Sequence, residues 1–341
     1  MTIGISVYSV PVTCGLLRRA DAAVGHPRDA FGIAALAAEH GLATVEMPLV
    51  GMLPDLSHGT VDRLRDTLKD YGLKLVVDTA VVDLATLKEV LPLAARAGAT
   101  VVRAMLSTIL EGARATVPGG WAAYLKDMQQ RVVALRPLLE ANDLVLAVEN
   151  HQDLTSDEMV ELCLAGGPHI GLTLDVANPL AVAEEPLEFA RKIVPWLRNV
   201  HLKDYRIYST TSGYRLVRCA LGEGVIPFPE LLALFASAAP DAPLHIELAA
   251  HYARHIRLVE DDWWQGYPPR DVRTVLPVLR SVARNGRPAD EPWQTPWEQQ
   301  LSPDECAAYE HTQLAASIAY LRLVLSEGSR SRVNGSQGAL Q

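Results

Sequence analysis

The stretch Leu146-Ala-Val-Glu-Asn-His-Gln-Asp153 sets an acid, an amide and an imidazole directly behind an apolar run. That run, Asp143-Leu-Val-Leu-Ala-Val148, follows a long helical pattern and reads as an interior strand of a parallel sheet, covered on both faces. Three later runs finish in the same way: Ile170-Gly-Leu-Thr-Leu-Asp175, Arg198-Asn-Val-His201 and Leu244-His-Ile-Glu247. Each carries its polar residue at the C-terminal end of an apolar strand. In a closed parallel barrel those ends meet at one mouth, so residues far apart in sequence become neighbours.

Working outward, the same unit recurs. Helical spacing over residues 28–40 halts at Gly41, over 60–71 at Gly72 and over 84–97 at Gly98. A glycine there suits the left-handed position after a helix. Each is followed by a β-branched run: Ala43-Thr-Val-Glu-Met-Pro48, Leu73-Lys-Leu-Val-Val-Asp78 and Ala99-Thr-Val-Val-Arg-Ala-Met105. Ile3-Gly-Ile-Ser-Val-Tyr-Ser-Val10 precedes them as a first strand. Helices over 121–141, 156–165, 186–197 and 228–238 lead to the four later strands. Eight strands alternating with helices predict an α/β fold, a (β/α)8 TIM barrel over residues 1–285. The competing doubly wound sheet lacks its Gly-x-Gly-x-x-Gly after the first strand.

Beyond Glu247 the composition changes. Residues 250–270 crowd Trp263, Trp264, prolines and charges together and predict a structured loop beside the mouth, before a helix over 271–283. Residues 286–328 form a C-terminal helical extension. Ser302-Pro-Asp-Glu305 is a capping box with proline at the first helical position, opening a helix to about Leu325. Its Leu314, Ala315, Ile318, Leu321 and Leu323 suit docking on the barrel or on a partner, which leaves a homo-oligomer open. The polar tail 329–341 is predicted to be disordered.

With 341 residues, 49% of them hydrophobic, the chain can bury a large core, and its net charge of -9 disfavours a nucleic-acid partner. The scattered Cys14, Cys163, Cys219 and Cys306 form neither a disulfide framework nor a thiolate metal site. The N-terminal residues lack a leader pattern and no apolar run reaches membrane-spanning length, so a soluble, cytoplasmic protein without a membrane partner is expected.

Glu149, Asp175, His201 and Glu247 together are a divalent-metal set. Carboxylates with one imidazole and no thiolate suit Mn²⁺, Mg²⁺ or Co²⁺, with Zn²⁺ also compatible. Strand alternation sends His151 to the same face as Glu149, where it reads as a substrate-contacting or basic group or as a core histidine. It likewise puts Lys203 with His201, where it reads as a substrate contact stabilising an oxyanion or as a solvated lysine. Glu46 and Arg103 end the second and fourth strands as substrate contacts or as an ion pair across the barrel, and Asn178 stands ready to orient Asp175 or the substrate. Trp263 and Trp264 read as an apolar lid or as packing of the extension.

On Glu149-Asn-His, Asp175-Val-Ala-Asn178, Val200-His-Leu-Lys-Asp204, Leu221-Gly-Glu-Gly-Val225 and Ile246-Glu-Leu, the chain resembles the xylose isomerase-like TIM-barrel superfamily, in its sugar phosphate isomerase/epimerase branch. The resemblance covers roughly residues 1–285. It implies a divalent cation, often Mn²⁺, at the positions of Glu149, Asp175, His201 and Glu247, with Glu149 and Glu247 doubling as proton carriers. It implies a substrate contact near Arg206. The reaction it implies is isomerisation or epimerisation of a keto-sugar or sugar derivative through an enediolate, a carbohydrate being the small-molecule partner. The same intermediate collapses to a lyase reaction if a group is expelled, as in a 3-oxo sugar acid decarboxylase or a 3-keto glycoside-cleaving enzyme. Residues 250–270 and the extension depart from compact epimerases and keep that alternative in view. An AP-type endonuclease shares the barrel but needs more metal-binding histidines and a basic groove.

Overall fold

The early turns are built on glycine. Helices α1 (Ala30–Glu39), α2 (His58–Asp70) and α3 (Leu84–Arg96) start on the side chains of Asp29, Ser57 and Asp83, each of which accepts a hydrogen bond from a first-turn amide. They stop before Gly41, Gly72 and Gly98, whose φ values of 61°, 69° and 86° lie in the left-handed region. A strand begins two or three residues later, at Thr44, Lys74 and Val101. This computed structural model describes residues 1–19, 25–249 and 251–337.

Seven strands follow one another around a parallel sheet: β1 (Ile3–Ser6), β2 (Thr44–Pro48), β3 (Lys74–Val81), β4 (Val101–Met105), β5 (Val145–Glu149), β6 (Ile170–Asp175) and β7 (Leu197–Leu202). The chain then leaves the sheet as an antiparallel hairpin, β8 (Asp204–Thr210) and β9 (Gly213–Cys219), and returns through β10 (Leu244–Ile246). Pairing of β10 with both β7 and β1 closes an eight-stranded barrel. The helices α4 (Trp121–Ala134), α5 (Arg136–Ala141), α6 (Ser156–Gly166), α7 (Pro186–Ile193), α8 (Phe228–Ala238) and α9 (Val272–Asn285) complete the outer layer. The helix expected over 121–141 is two, α4 and α5, because Pro137 brings no N–H to the ladder at the junction.

A third antiparallel strand, β11 (Arg254–Ile256), adds to β9, so the order is β11-β9-β8. This small sheet was not anticipated from the sequence. Its inner face alternates Tyr205 and Ile207 on β8, Tyr214, Leu216 and Arg218 on β9, and Arg254 and Ile256 on β11. Gly213 lets the strands approach: a Cβ there would lie 2.1 Å from the Ile256 carbonyl oxygen. Residues 251–270 therefore contain a strand as well as the expected loop, while Ala250 lies outside the described residues. Trp263 is buried, stacks on Tyr267 with centroids 4.8 Å apart, and donates to the Glu111 carbonyl. Packing, not a lid, is its role.

The C-terminal helix α10 (Pro303–Gln337) docks on its own barrel. Leu314, Ile318 and Leu321 are buried in the main core, whereas Leu323 is 56% exposed and Ala315 faces solvent. Glu310 accepts from the Val12 and Thr13 amides and the Thr13 hydroxyl, and the Leu221 amide donates to Ser317 Oγ. The helix continues past the expected end near Leu325 to Gln337, so part of the tail expected to be disordered is helical; residues 338–341 lie outside the described residues. Among the described residues no helix is long and apolar enough to cross a membrane.

Candidate metal centre

Parallel register brings the strand ends level. Asp175 on β6 lies opposite His201 on β7, and Glu149 ends β5 beside Thr173. Ligand atoms of Glu149, Asp175 and His201 come within 4.8 Å of one another, all in buried side chains. Glu247 follows β10 on the same rim, but its Oε2 lies 2.6 Å from Lys203 Nζ and stands out of line for a hydrogen bond. The ammonium of Lys203 also holds Asp175 Oδ2 at 2.5 Å. Lys203 thus sits inside the predicted ligand set, bridging two of its four members.

The imidazole of His201 is fixed from below. Its Nε2 lies 2.7 Å and 2.9 Å from the two oxygens of Glu46, a carboxylate with no exposed surface. Glu46 also accepts from Asn199 Nδ2 at 2.6 Å; Asn199 Oδ1 meets His245 Nδ1 at 2.8 Å, and His245 Nε2 meets Thr44 Oγ1 at 2.9 Å. A proton on Nε2 satisfies Glu46 and leaves Nδ1 as a lone pair. That Nδ1 is buried, has no hydrogen-bond partner, and faces Glu149 Oε1 at 3.6 Å, too long for a hydrogen bond. An imidazole oriented by a carboxylate on one nitrogen and free on the other is the usual preparation of a metal-binding histidine. The residues fit a divalent ion.

Charge is dense here. Arg103 on β4 pairs with Glu149 and with Asp78, and Tyr8 donates to the other Asp78 oxygen at 3.0 Å. Glu46 and Arg103 do not pair with each other; each finds a nearer opposite charge. Burial pushes the Glu149 carboxyl up, but Arg103 and His201 outweigh it and hold it well below its ordinary range. Burial would equally deprotonate His201 and Lys203, yet Glu46 and Glu149 raise the first, whose Nδ1 proton a bound ion would displace, and Asp175 and Glu247 raise the second. Asp175 is pushed up to about 6 by burial against the pull of Lys203; the short contact between them favours the carboxylate at neutral pH. Burial takes His151 down to about 4, a neutral imidazole whose Nδ1 has no partner. Both side-chain atoms of Asn178 are buried without partners; the orientation of Asp175 comes instead from Asn178 and Ala177 backbone amides and from Asn150, which binds the Asp175 main chain.

Arg206 is placed apart from these residues. It lies on β8 with the parity opposite to Tyr205, and its guanidinium pairs with Glu223. Sequence reasoning missed Asp78, Asn199 and His245. Alternation back from His201 reaches Asn199, and Asp78 closes the apolar run from Leu73 as Glu149 closes its own, so both were recoverable. His245 was not, because a histidine inside an apolar strand carries no sign of its partner.

A sequence profile described as xylose isomerase-like TIM barrel matches residues 34–266. The uncharacterized protein YihM of Escherichia coli K12 is 25% identical over 179 residues, 52% of this chain and 52% of that protein, so the chain spans about half the length of that relative. A 3-oxo-isoapionate decarboxylase of Pectobacterium atrosepticum is 23% identical over 240 residues, 68% of this chain and 79% of its own. Among solved structures, D-psicose 3-epimerase of Clostridium cellulolyticum H10 with D-tagatose superposes with a TM-score of 0.57 at 14% identity, covering 93% of this chain and 99% of that one; at that identity the likeness is one of fold. With the profile spanning more than half of its residues, the chain belongs to the xylose isomerase-like TIM-barrel family.

Proposed function

We propose that the protein is a divalent-metal-dependent isomerase or epimerase that moves a proton on a carbon next to the carbonyl of a keto-sugar or sugar derivative. The observation that carries this reading is the convergence of Glu149, Asp175 and the free Nδ1 of His201 on one buried point, with Glu247 and Lys203 at its edge. Glu149, Asp175 and His201 would hold the ion, Mn²⁺ by the character of the donors, with Glu247 as the fourth ligand. Such an ion supplies Lewis-acid polarisation of a carbonyl oxygen. Glu149, ionised beside Arg103, is a base at neutral pH and takes the proton from one face. Glu247, bridged to Asp175 through Lys203, would deliver a second proton, drawn from the Lys203 ammonium, while Glu149 releases the one it removed to solvent. His151 and Asn178, with buried atoms lacking partners, are suited to receive substrate hydroxyls.

One observation favours a second reading. Glu149 and Glu247 are not equivalent: the first pairs with an arginine and the second with Lys203, whose ammonium is a proton donor as well as a counter-ion. A site with a base on one side and an acid on the other suits loss of a group followed by protonation. The decarboxylase among the relatives agrees with such a lyase.

Proton NMR in D₂O with Mn²⁺ separates the two, using ketoses, 3-keto glycosides and 3-oxo sugar acids. Deuterium entering next to the carbonyl of an intact sugar of altered configuration is the expected result. Release of carbon dioxide or an aglycone assigns the lyase, and neither exchange nor cleavage on any of them contradicts both readings.

A further inference from the structure

The small β11-β9-β8 sheet stands over the rim of the barrel, and the polar end of its inner face is not explained by packing. Tyr205 and Arg218 are direct cross-strand partners, and Arg254 pairs with Leu216 one step away on the same face. The charged groups around the Tyr205 hydroxyl are Lys203, Asp175, Arg254 and Glu247, which sets this end of the sheet against the candidate metal centre. Arg218 lies near Glu247 and Tyr205 as well.

Three polar groups here are under-used. The Tyr205 side chain has no exposed surface, and its hydroxyl has no hydrogen-bond partner. Arg254 Nε is buried and unpaired, and among the described residues Arg254 joins no ion pair. The Arg218 guanidinium is 1% exposed and donates only to neutral groups, Gln313 Oε1 at 3.0 Å and the Ser9 carbonyl at 3.4 Å. The carboxylate that approaches it, Glu310, is already saturated by the Val12 and Thr13 amides, the Thr13 hydroxyl and His251. A guanidinium kept from water without a carboxylate, a second that is half-buried with its Nε sealed off and unpaired, and a buried hydroxyl with nothing to donate to are costly together unless a ligand completes them.

We infer that Arg218, Arg254 and Tyr205 form an anion subsite that receives a carboxylate of the substrate, so that the molecule held at the mouth is a sugar acid. This rests on reading the mouth as a keto-sugar site. A planar carboxylate takes paired donors from a guanidinium fork, and the Tyr205 hydroxyl adds a third. A phosphoryl group shares the oxyanion chemistry, and a sugar phosphate in the test separates it from a carboxylate. The long helix α10 has a part in this subsite, because Gln313 and Glu310 hold Arg218 and His251 in place.

The test uses three ketoses that differ at one carbon: D-fructose, D-fructuronate and D-fructose 6-phosphate. Their dissociation constants are measured by calorimetry on the full chain with Mn²⁺, for the native protein and for Arg254→Gln, alongside thermal shifts with D-glycerate and glycerol. D-fructuronate is expected to bind about tenfold or more tighter than D-fructose, with that ratio collapsing toward one in Arg254→Gln. D-fructose binding as tightly as D-fructuronate, or a ratio that survives the substitution, overturns the subsite and leaves the keto-sugar reading standing. Preference for the 6-phosphate overturns the carboxylate assignment. If no ketose binds but D-glycerate stabilises the native protein more than glycerol does, and Arg254→Gln removes that difference, the subsite stands and the keto-sugar reading falls. Absence of both effects overturns both.

Discussion

At the scale of single residues, the candidate centre depends on groups that never reach its surface. Glu46 selects the tautomer of His201, Asn199 holds Glu46, and His245 holds Asn199. His245 is buried between Asn199 and Thr44, and burial depresses its imidazole from 6.5 to about 4. The folded protein therefore keeps it neutral while the unfolded chain protonates it. Its contribution is complete above pH 6.5 and is lost as pH falls toward 4. Between pH 7 and pH 5 this residue alone should account for about 2 kcal/mol of lost stability. Urea unfolding at both pH values checks it: His245→Gln should lose about 2 kcal/mol less than the native protein on acidification, and an equal loss in the two would contradict the assignment.

At the scale of elements, turns and faces decide where each strand starts. Gly72 ends α2 at φ 69° with nothing within 4 Å of the position a Cβ would take. Replacing it with alanine therefore meets no steric clash and isolates the backbone cost, about 1 kcal/mol. Chemical denaturation of Gly72→Ala should show that loss with the site unchanged, and no loss would mean that the turn relaxes into another conformation. The three glycine stops and the eight apolar runs were legible in the sequence, since each rests on local stereochemistry and a repeating period. The hairpin of β8 and β9 was written there too, as alternation on both sides of Thr211-Ser212-Gly213, but short polar strands outside the repeating unit carry a weaker signal. The division of residues 121–141 at Pro137 could also have been read. The direction of α10 could not: Leu314, Ile318 and Leu321 declare an apolar face without saying what it covers.

For the whole molecule, the barrel turns a list of strand ends into a constellation. Glu149, Asp175 and His201 were legible as a group because closure follows from the repeat, and closure alone makes them neighbours. What the sequence did not contain was their pairing. Lys203 reaches both Asp175 and Glu247, and Arg103 divides itself between Asp78 and Glu149, through distances that only the closed barrel sets. Those contacts make two glutamates of similar strand position chemically unlike each other. The same fold sets the polar end of the β11-β9-β8 sheet, at Tyr205, near Lys203, Asp175 and Glu247.

A divalent ion at the barrel mouth is what every proposed step requires, and calorimetric titration of the metal-free protein with Mn²⁺ tests for it most directly. The prediction is one ion bound per chain, binding lost in Glu149→Gln, and affinity lowered by about 10–100-fold in Glu46→Gln, which leaves every ligand in place but releases His201. Failure of the native protein to bind Mn²⁺, or Glu149→Gln binding it as tightly as the native protein, would contradict the account.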